Sequence, residues 1–120
     1  NKITNVAAGT ADTDAVNVGQ VNAALNTVNQ NITNLGNKLS EVGNESKAGS
    51  ASAIATANLP QSTIPGMAMT TVGLGTYDGQ SAIAVGLSKM SDNGKWVIKA
   101  SATTNTQGKV GAGVGVGFHW

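Results

Sequence analysis

Residues 109–120 read KVGAGVGVGFHW. Val110, Ala112, Val114, Val116, Phe118 and Trp120 share one parity, and Gly111, Gly113, Gly115, Gly117 and His119 the other. A period of two is that of a β-strand, whose successive side chains point to opposite faces. A soluble sheet alternates apolar with charged or large polar residues. Here the second face is bare glycine. Glycine normally weakens a strand interior, so four in alternate positions suit a face that another backbone must approach.

Three further strands precede this one, at 67–77, 80–90 and 96–104, with 109–120 the fourth. The connections are Tyr77-Asp78-Gly79-Gln80, SDNGK at 91–95 and NTQG at 105–108. Such turn signals predict an antiparallel meander. Val72 and Leu74 oppose Gly73 and Gly75. Ile83, Val85 and Leu87 oppose Ala82, Ala84, Gly86 and Ser88. Trp96, Ile98, Ala100 and Ala102 oppose Val97, Lys99, Ser101 and Thr103. One face is therefore apolar and the other small or hydroxylated.

Strands of about 9–11 residues match a tilted membrane strand. Four strands cannot close a barrel, and open edges are not tolerated in lipid. Two copies give eight strands and three give twelve. With strands about 4.8 Å apart and tilted about 40°, the diameters are about 16 Å and 24 Å. The wider barrel, lined by Gly and Ala, leaves room for three slender helices.

Upstream, residues 16–58 lack proline and read as helix. Val18, Val21, Leu25, Val28, Ile32, Leu35, Leu39 and Val42 are spaced 3-4-3-4-3-4-3. A seven-residue repeat imposes a left-handed supercoil. The residues between are mainly Asn, Thr, Gln, Lys, Gly and Ala, which favours a coiled coil over one amphipathic helix on a globular core. β-Branched residues at both core positions favour trimers or tetramers over dimers. Beyond Val42 the seam passes to Ser46, Gly49, Ala53 and Thr56. The stretch SKAGSASAIATA is either a thin helix for a confined space or a flexible linker, and the cavity offered by the strands favours the helix. Asp14 is the expected N-cap, with Thr13 the alternative. LPQSTIPG at 59–66 holds both prolines of the chain, and Pro60 marks a helix already ended.

Composition narrows the function. The chain has 120 residues, 16 glycines, four aromatics and 11% charged residues, which does not describe an ordinary self-contained globule. Low charge and ample Val, Ile and Leu exclude a disordered chain. A net charge of +1, from seven Lys and no Arg, removes the case for nucleic acid. The absence of Cys excludes a disulfide scaffold and a Cys-based zinc site. No apolar run reaches the length of a transmembrane helix. With no initiator Met, the chain is expected to be the C-terminal part of a longer protein. An enzyme reading fails on inventory: His119 is the only His, and no nucleophile, base and orienting group can be assembled. GAGVGVG lacks dinucleotide-binding spacing and opens no helix. No cofactor is expected.

The opening NKITNVAAGTADTDAVNVGQV resembles the neck of trimeric autotransporter adhesins. LPQSTIPG, VGLGTYDGQSAIAVGLS, SDNGKWVIKAS and NTQGKVGAGVGVGFHW resemble their YadA-like C-terminal membrane anchor. Gln61, Ser62 and Thr63 are the least characteristic piece. The resemblance implies a neck at 1–15, a trimeric coiled-coil stalk at 16–45, a pore-spanning helix at 46–58, a linker at 59–65 and a barrel segment at 66–120. It implies a homotrimeric, twelve-stranded antiparallel membrane β-barrel in the outer membrane of a Gram-negative bacterium, with three helices through the pore and the stalk at the cell surface. Such a unit holds and exports an upstream adhesive passenger, through which alone it would meet a host ligand. The alternatives are a soluble trimerisation module and an open porin.

On this reading Gly73, Gly75, Ala82, Ala84, Gly86, Gly111, Gly113, Gly115 and Gly117 face the lumen and give clearance to the helices. Val72, Leu74, Ile83, Val85, Leu87, Trp96, Ile98, Val114 and Val116 face outer-membrane lipid, with Trp96 and Trp120 in the periplasmic aromatic girdle. Val116, Phe118 and Trp120 resemble the C-terminal signal read by the barrel-assembly machinery. Lys99 faces the lumen, where it meets water, a helix C-terminal carbonyl, Glu41 or Glu45. Asp12 and Asp14 are candidates for pairing with Lys2 between chains in the neck.

Overall fold

The computed structural model describes all residues from Asn1 to Trp120. One helix, α1 (Val18–Ala57), is followed by β1 (Ala68–Tyr77), β2 (Gln80–Met90), β3 (Trp96–Asn105) and β4 (Val110–Phe118). The chain divides into two compact units, Asn1–Ser40 and Glu41–Trp120.

In the first unit, the N-terminal segment is tied to the start of α1. The N-cap is Asn17, not Asp14 or Thr13. The Asn17 Oδ1 accepts from Gln20 N at 2.9 Å, and Gln20 Oε1 accepts from Asn17 N at 3.1 Å. This is a reciprocal capping box built from Asn and Gln. Gln20 also exchanges two hydrogen bonds with the Gly9 backbone, both 3.0 Å, and Asn17 Nδ2 donates to Val6 O at 3.1 Å. Asp14 instead closes its own turn, accepting from Thr10 N and Ala11 N at 2.9 Å each. Those two amides hold its carboxyl below the usual aspartate range. A carboxylate so engaged four residues before the first helical residue cannot reach the first helical amides, which is why the nearer Asn17 takes the cap. The eight heptad side chains from Val18 to Val42 are all exposed along the single chain.

In the second unit, the strands form an antiparallel meander ordered β1-β2-β3-β4. The β1–β2 hairpin turns on Asp78 and Gly79, with φ of 44° and 84°. Two consecutive left-handed residues give the twist that flanking strands need, and Asp-Gly suits them. β2 has the bounds expected from the sequence. β1 begins one residue later than expected, because Met67 N is taken by Ile64 O in a turn. β3 extends by one residue to Asn105, whose side-chain oxygen accepts from Gln107 N and Lys109 N and so delays β4 to Val110. β4 stops at Phe118, after which His119 N donates to Lys95 O at 2.6 Å.

Burial differs from strand to strand, and β4 is exposed throughout in the single chain. Burial alternates residue by residue along β2, with Ala82, Ala84, Gly86, Ser88 and Met90 inside. The hydrophobic cluster beneath is Ala51, Ala55, Leu59, Ala82 and Ala84. Leu59 is its largest member. No helix in the chain is long and apolar enough to cross a membrane.

Candidate functional site

The site is the contact between the last turns of α1 and the small-residue face of the sheet. Ala48, Ala51 and Ala55 are fully buried there. The sequence permits this closeness because β1 offers no side chain opposite them. A Cβ on Gly73 would run into the Ala55 carbonyl oxygen and come within 3.2 Å of Leu59 Cδ2. A Cβ on Gly75 would lie 2.5 Å from both Ala51 O and Ala55 N. At Gly86 it would meet Thr71 Oγ1 at 2.8 Å and Leu59 Cδ1 at 3.1 Å. The helix backbone thus rests on the strand backbone. Gly113, Gly115 and Gly117 have nothing within 4 Å of such a Cβ in the single chain, while Gly111 has Thr103 Oγ1 at 3.1 Å.

The buried helix positions are not the continuation of the heptad seam. Ser46, Gly49 and Ala53 are exposed, and Thr56 is half-buried. At about 100° per residue, the centre of Ala48, Ala51 and Ala55 lies about 150° from the seam. One side of the helix therefore packs on its own sheet while the opposite side stays free.

Polar contacts fix the helix at both ends of the sheet. At the hairpin end, Lys47 Nζ lies 3.0 Å from Asp78 Oδ2 in the β1–β2 turn. Lys109 Nζ, before β4, lies 3.5 Å from Glu45 Oε1. Asn105 Nδ2 donates to Ser52 Oγ at 3.1 Å. Exposed pairs of this kind contribute little energy each, but they lie on two different turns and so define position. At the other end, Lys99 Nζ donates to the Leu59 carbonyl at 2.9 Å, just past the helix. Of the partners considered for Lys99, the carbonyl is the one it meets, and Glu45 pairs with Lys109.

Ser62, in the least characteristic piece of the linker, is buried. Its N–H donates to Ser88 Oγ at 2.7 Å, and its hydroxyl donates to Met67 O at 2.7 Å. Gly66 N donates to Met90 O at 2.9 Å, in the left-handed conformation at φ 78° that glycine favours. The linker is thereby fastened to β2. The one available signal was Ser88, a hydroxyl that follows Ala82, Ala84 and Gly86 on the same strand face.

The opposite face of the sheet carries its apolar side chains uncovered. Val72, Leu74, Ile83, Val85, Leu87, Trp96, Ile98, Val114 and Val116 are all exposed. Trp96 and Phe118 face each other across β3 and β4, ring centroids 4.7 Å apart. Trp120 is fully exposed at the C-terminus.

Known proteins show the same two parts. The model of a YadA-like membrane anchor domain matches residues 60–120, and that of the coiled stalk of trimeric autotransporter adhesins matches residues 2–58. The chain is 40% identical over 123 residues to autotransporter adhesin EhaG of Escherichia coli O157:H7, covering 99% of this chain and 8% of that protein. It is 41% identical over 119 residues to autotransporter adhesin NhhA of Neisseria meningitidis serogroup B (strain ATCC BAA-335 / MC58), covering 99% and 19%. It is 30% identical over 111 residues to trimeric autotransporter adhesin AtaA of Acinetobacter sp. (strain Tol 5), covering 86% and 3%. The chain spans less than a fifth of the length of these relatives. With a stalk match before an anchor match, and a glycine-faced sheet behind a heptad helix, the chain belongs to the YadA-like membrane-anchor family of the trimeric autotransporter adhesins.

Proposed function

We propose that the chain is the outer-membrane anchor and translocation unit of a trimeric autotransporter adhesin, working as a homotrimer. The observation that carries this reading is the helix with two opposed faces. Ala48, Ala51 and Ala55 are used by the chain's own sheet, while Ser46, Gly49 and Ala53 remain exposed. Three such helices meet along their free seams on a common axis, each backed by four strands. The free edges of the sheet, β1 and β4, pair between neighbouring chains and close a twelve-stranded barrel, as lipid requires. Strands of about ten residues, each about 33 Å long, span about 25 Å when tilted, the height of an outer-membrane apolar band.

The roles of the remaining residues follow. Gly111, Gly113, Gly115 and Gly117 give clearance to the helix of an adjacent chain. The coiled coil from Val18 to Val42 is the stalk base, displayed outside the cell. The 91–95 turn and the C-terminus lie on the periplasmic side, with Trp96, Phe118 and Trp120 in the girdle. Val116, Phe118 and Trp120 present alternate side chains suited to recognition by strand addition during barrel assembly. The unit holds and exports an upstream adhesive passenger, which supplies any host contact. No reaction chemistry is assigned to it.

The test is the mass of the detergent-extracted, unheated protein. A species near three times 11.9 kDa supports the reading. A water-soluble monomer overturns it, and a trimer with high steady ion conductance favours an open porin instead.

A further inference from the structure

The lipid-facing side of the sheet carries one charge. Its outward residues on β1 to β4 are apolar, small or hydroxylated except Lys89, at the end of β2. None of the four strands contains an Asp or Glu. Lys89 pairs in register with Ala68 on β1 and Ile98 on β3. Trp96, two residues from Ile98, begins the aromatic row. The ammonium is thus rooted one pleat inside the row that marks the interface, and a four-carbon stem suffices to bring it there.

Beside Lys89 lies a shallow trough of about 280 Å³ between β1, β2 and β3. Ala68, Leu87, Ile98 and Ala100 line it. A second trough of about 430 Å³ continues up the sheet past Val85 and Ala102. The two share Leu87 and Ala100. Small side chains (Ala68, Ala100, Ala102) and larger aliphatic ones (Val85, Leu87, Ile98) line the two troughs together. An apolar channel along the strands that ends at a single unpaired cation matches an acyl chain bearing a phosphate.

We infer that Lys89 and this channel bind an anionic glycerophospholipid of the inner leaflet, with the phosphate on the Lys89 ammonium and an acyl chain along Leu87 and Ala100. The inference rests on the anchor reading above. The site lies on β1 to β3, away from the β4 edge, so each chain of a closed trimer would present one.

The test uses the full trimer in nonionic detergent, with phosphatidylglycerol, phosphatidylcholine or lipopolysaccharide added, and native mass spectrometry as readout. Phosphatidylglycerol is expected to be retained, up to three per trimer. Lys89→Met should reduce the retained fraction about five-fold, the effect of one cation near an anionic surface. Lys89→Arg should keep it, and so should Lys95→Gln in the adjoining turn. Met on a lipid-facing position should not impair folding, and the trimer peak of each variant reports this directly. Equal retention by the wild type and Lys89→Met overturns the site, as does equal retention of phosphatidylcholine or preferred retention of lipopolysaccharide. An intact trimer with no lipid preference refutes the site alone, whereas absence of a trimer refutes the anchor reading beneath it.

Discussion

Gly73→Ala adds one methyl group at the place where helix and strand backbones touch. The new Cβ would overlap the Ala55 carbonyl oxygen and approach Leu59 Cδ2 within 3.2 Å. The Leu59 tip can rotate away. The Ala55 carbonyl cannot, because it belongs to the helix backbone, so the helix must lift from the sheet. Overpacking of this kind typically costs about 1–3 kcal/mol. Taking about 2 kcal/mol per chain gives a factor of about 30 in the local equilibrium. Lifting α1 also loosens the nearby close packing at Gly75, where Ala51 O and Ala55 N leave as little room.

Gly113→Ala is the paired control. Nothing in its own chain lies within 4 Å of the added Cβ. Relieved of a clash, Gly→Ala at a compatible position stabilises by about 0.4–1 kcal/mol through the unfolded chain. The sign of the Gly113→Ala effect therefore reports whether a neighbouring chain's helix covers it. The assay is the midpoint of heat dissociation of the trimer on electrophoresis, with surface passenger measured in parallel. Gly73→Ala should lower the midpoint, and Gly113→Ala should lower it less. Unchanged dissociation and export in Gly73→Ala, with a stabilised Gly113→Ala, would refute the clearance role of these glycines.

Three other perturbations test the contacts around the helix. Asp14 has a folded pKa below its unfolded value, so its turn gains stability above the unfolded value and loses it as pH falls through the folded one. The Thr10 and Ala11 amide resonances should titrate with a midpoint under that of an unstructured aspartate and stop titrating in Asp14→Asn. Ser62→Ala removes the donor to Met67 O from a buried site and should cost about 1–2 kcal/mol, read as faster amide exchange from residue 61 to 67. Unaltered exchange there would show the linker to be held by other contacts. Asp78→Asn breaks the exposed Lys47 pair and should shift trimer dissociation by the equivalent of less than about 1 kcal/mol per chain, so a large shift would mean that the pair is buried in the assembly.

The sheet was legible because its period is two and its turns are spelled out by Asp-Gly and polar stretches ending in Gly. β2 was placed to the residue. The alternation of burial along β2 was legible for the same reason, since Ala82, Ala84 and Gly86 alternate with Ile83, Val85 and Leu87. What escaped was contact made by single polar side chains. Asp14 and Asn17 are both good N-cap residues, and only the Gln20 three positions after Asn17 distinguishes them. Ser62 sits in a linker whose composition reads as loop, and its importance comes from Ser88, 26 residues later. Propensity and periodicity describe neighbours in sequence. They do not report which hydroxyl is left inside when a helix is laid on a sheet.

The apolar face and the thin core are two consequences of one inversion. A single chain buries chiefly alanines, glycine backbone and Leu59, while Leu74, Leu87, Ile98 and Trp96 lie uncovered. Burying apolar area contributes about 25 cal/mol per Å², so the residues that could contribute most are left more than half exposed within the chain. On the proposed anchor reading, such a fold gains its stability where those side chains meet lipid and where the strand edges pair with other copies. The alanine face of α1 then has a separate task. On the same reading it lets the helix lie close against the sheet and leaves the lumen unfilled. Replacing Ala51 with Leu would test that division, because it adds apolar area to the core yet leaves no space between α1 and Gly75. If burial were limiting, the variant would stabilise the trimer. Clearance as the limit requires the opposite result, a trimer that dissociates at lower temperature.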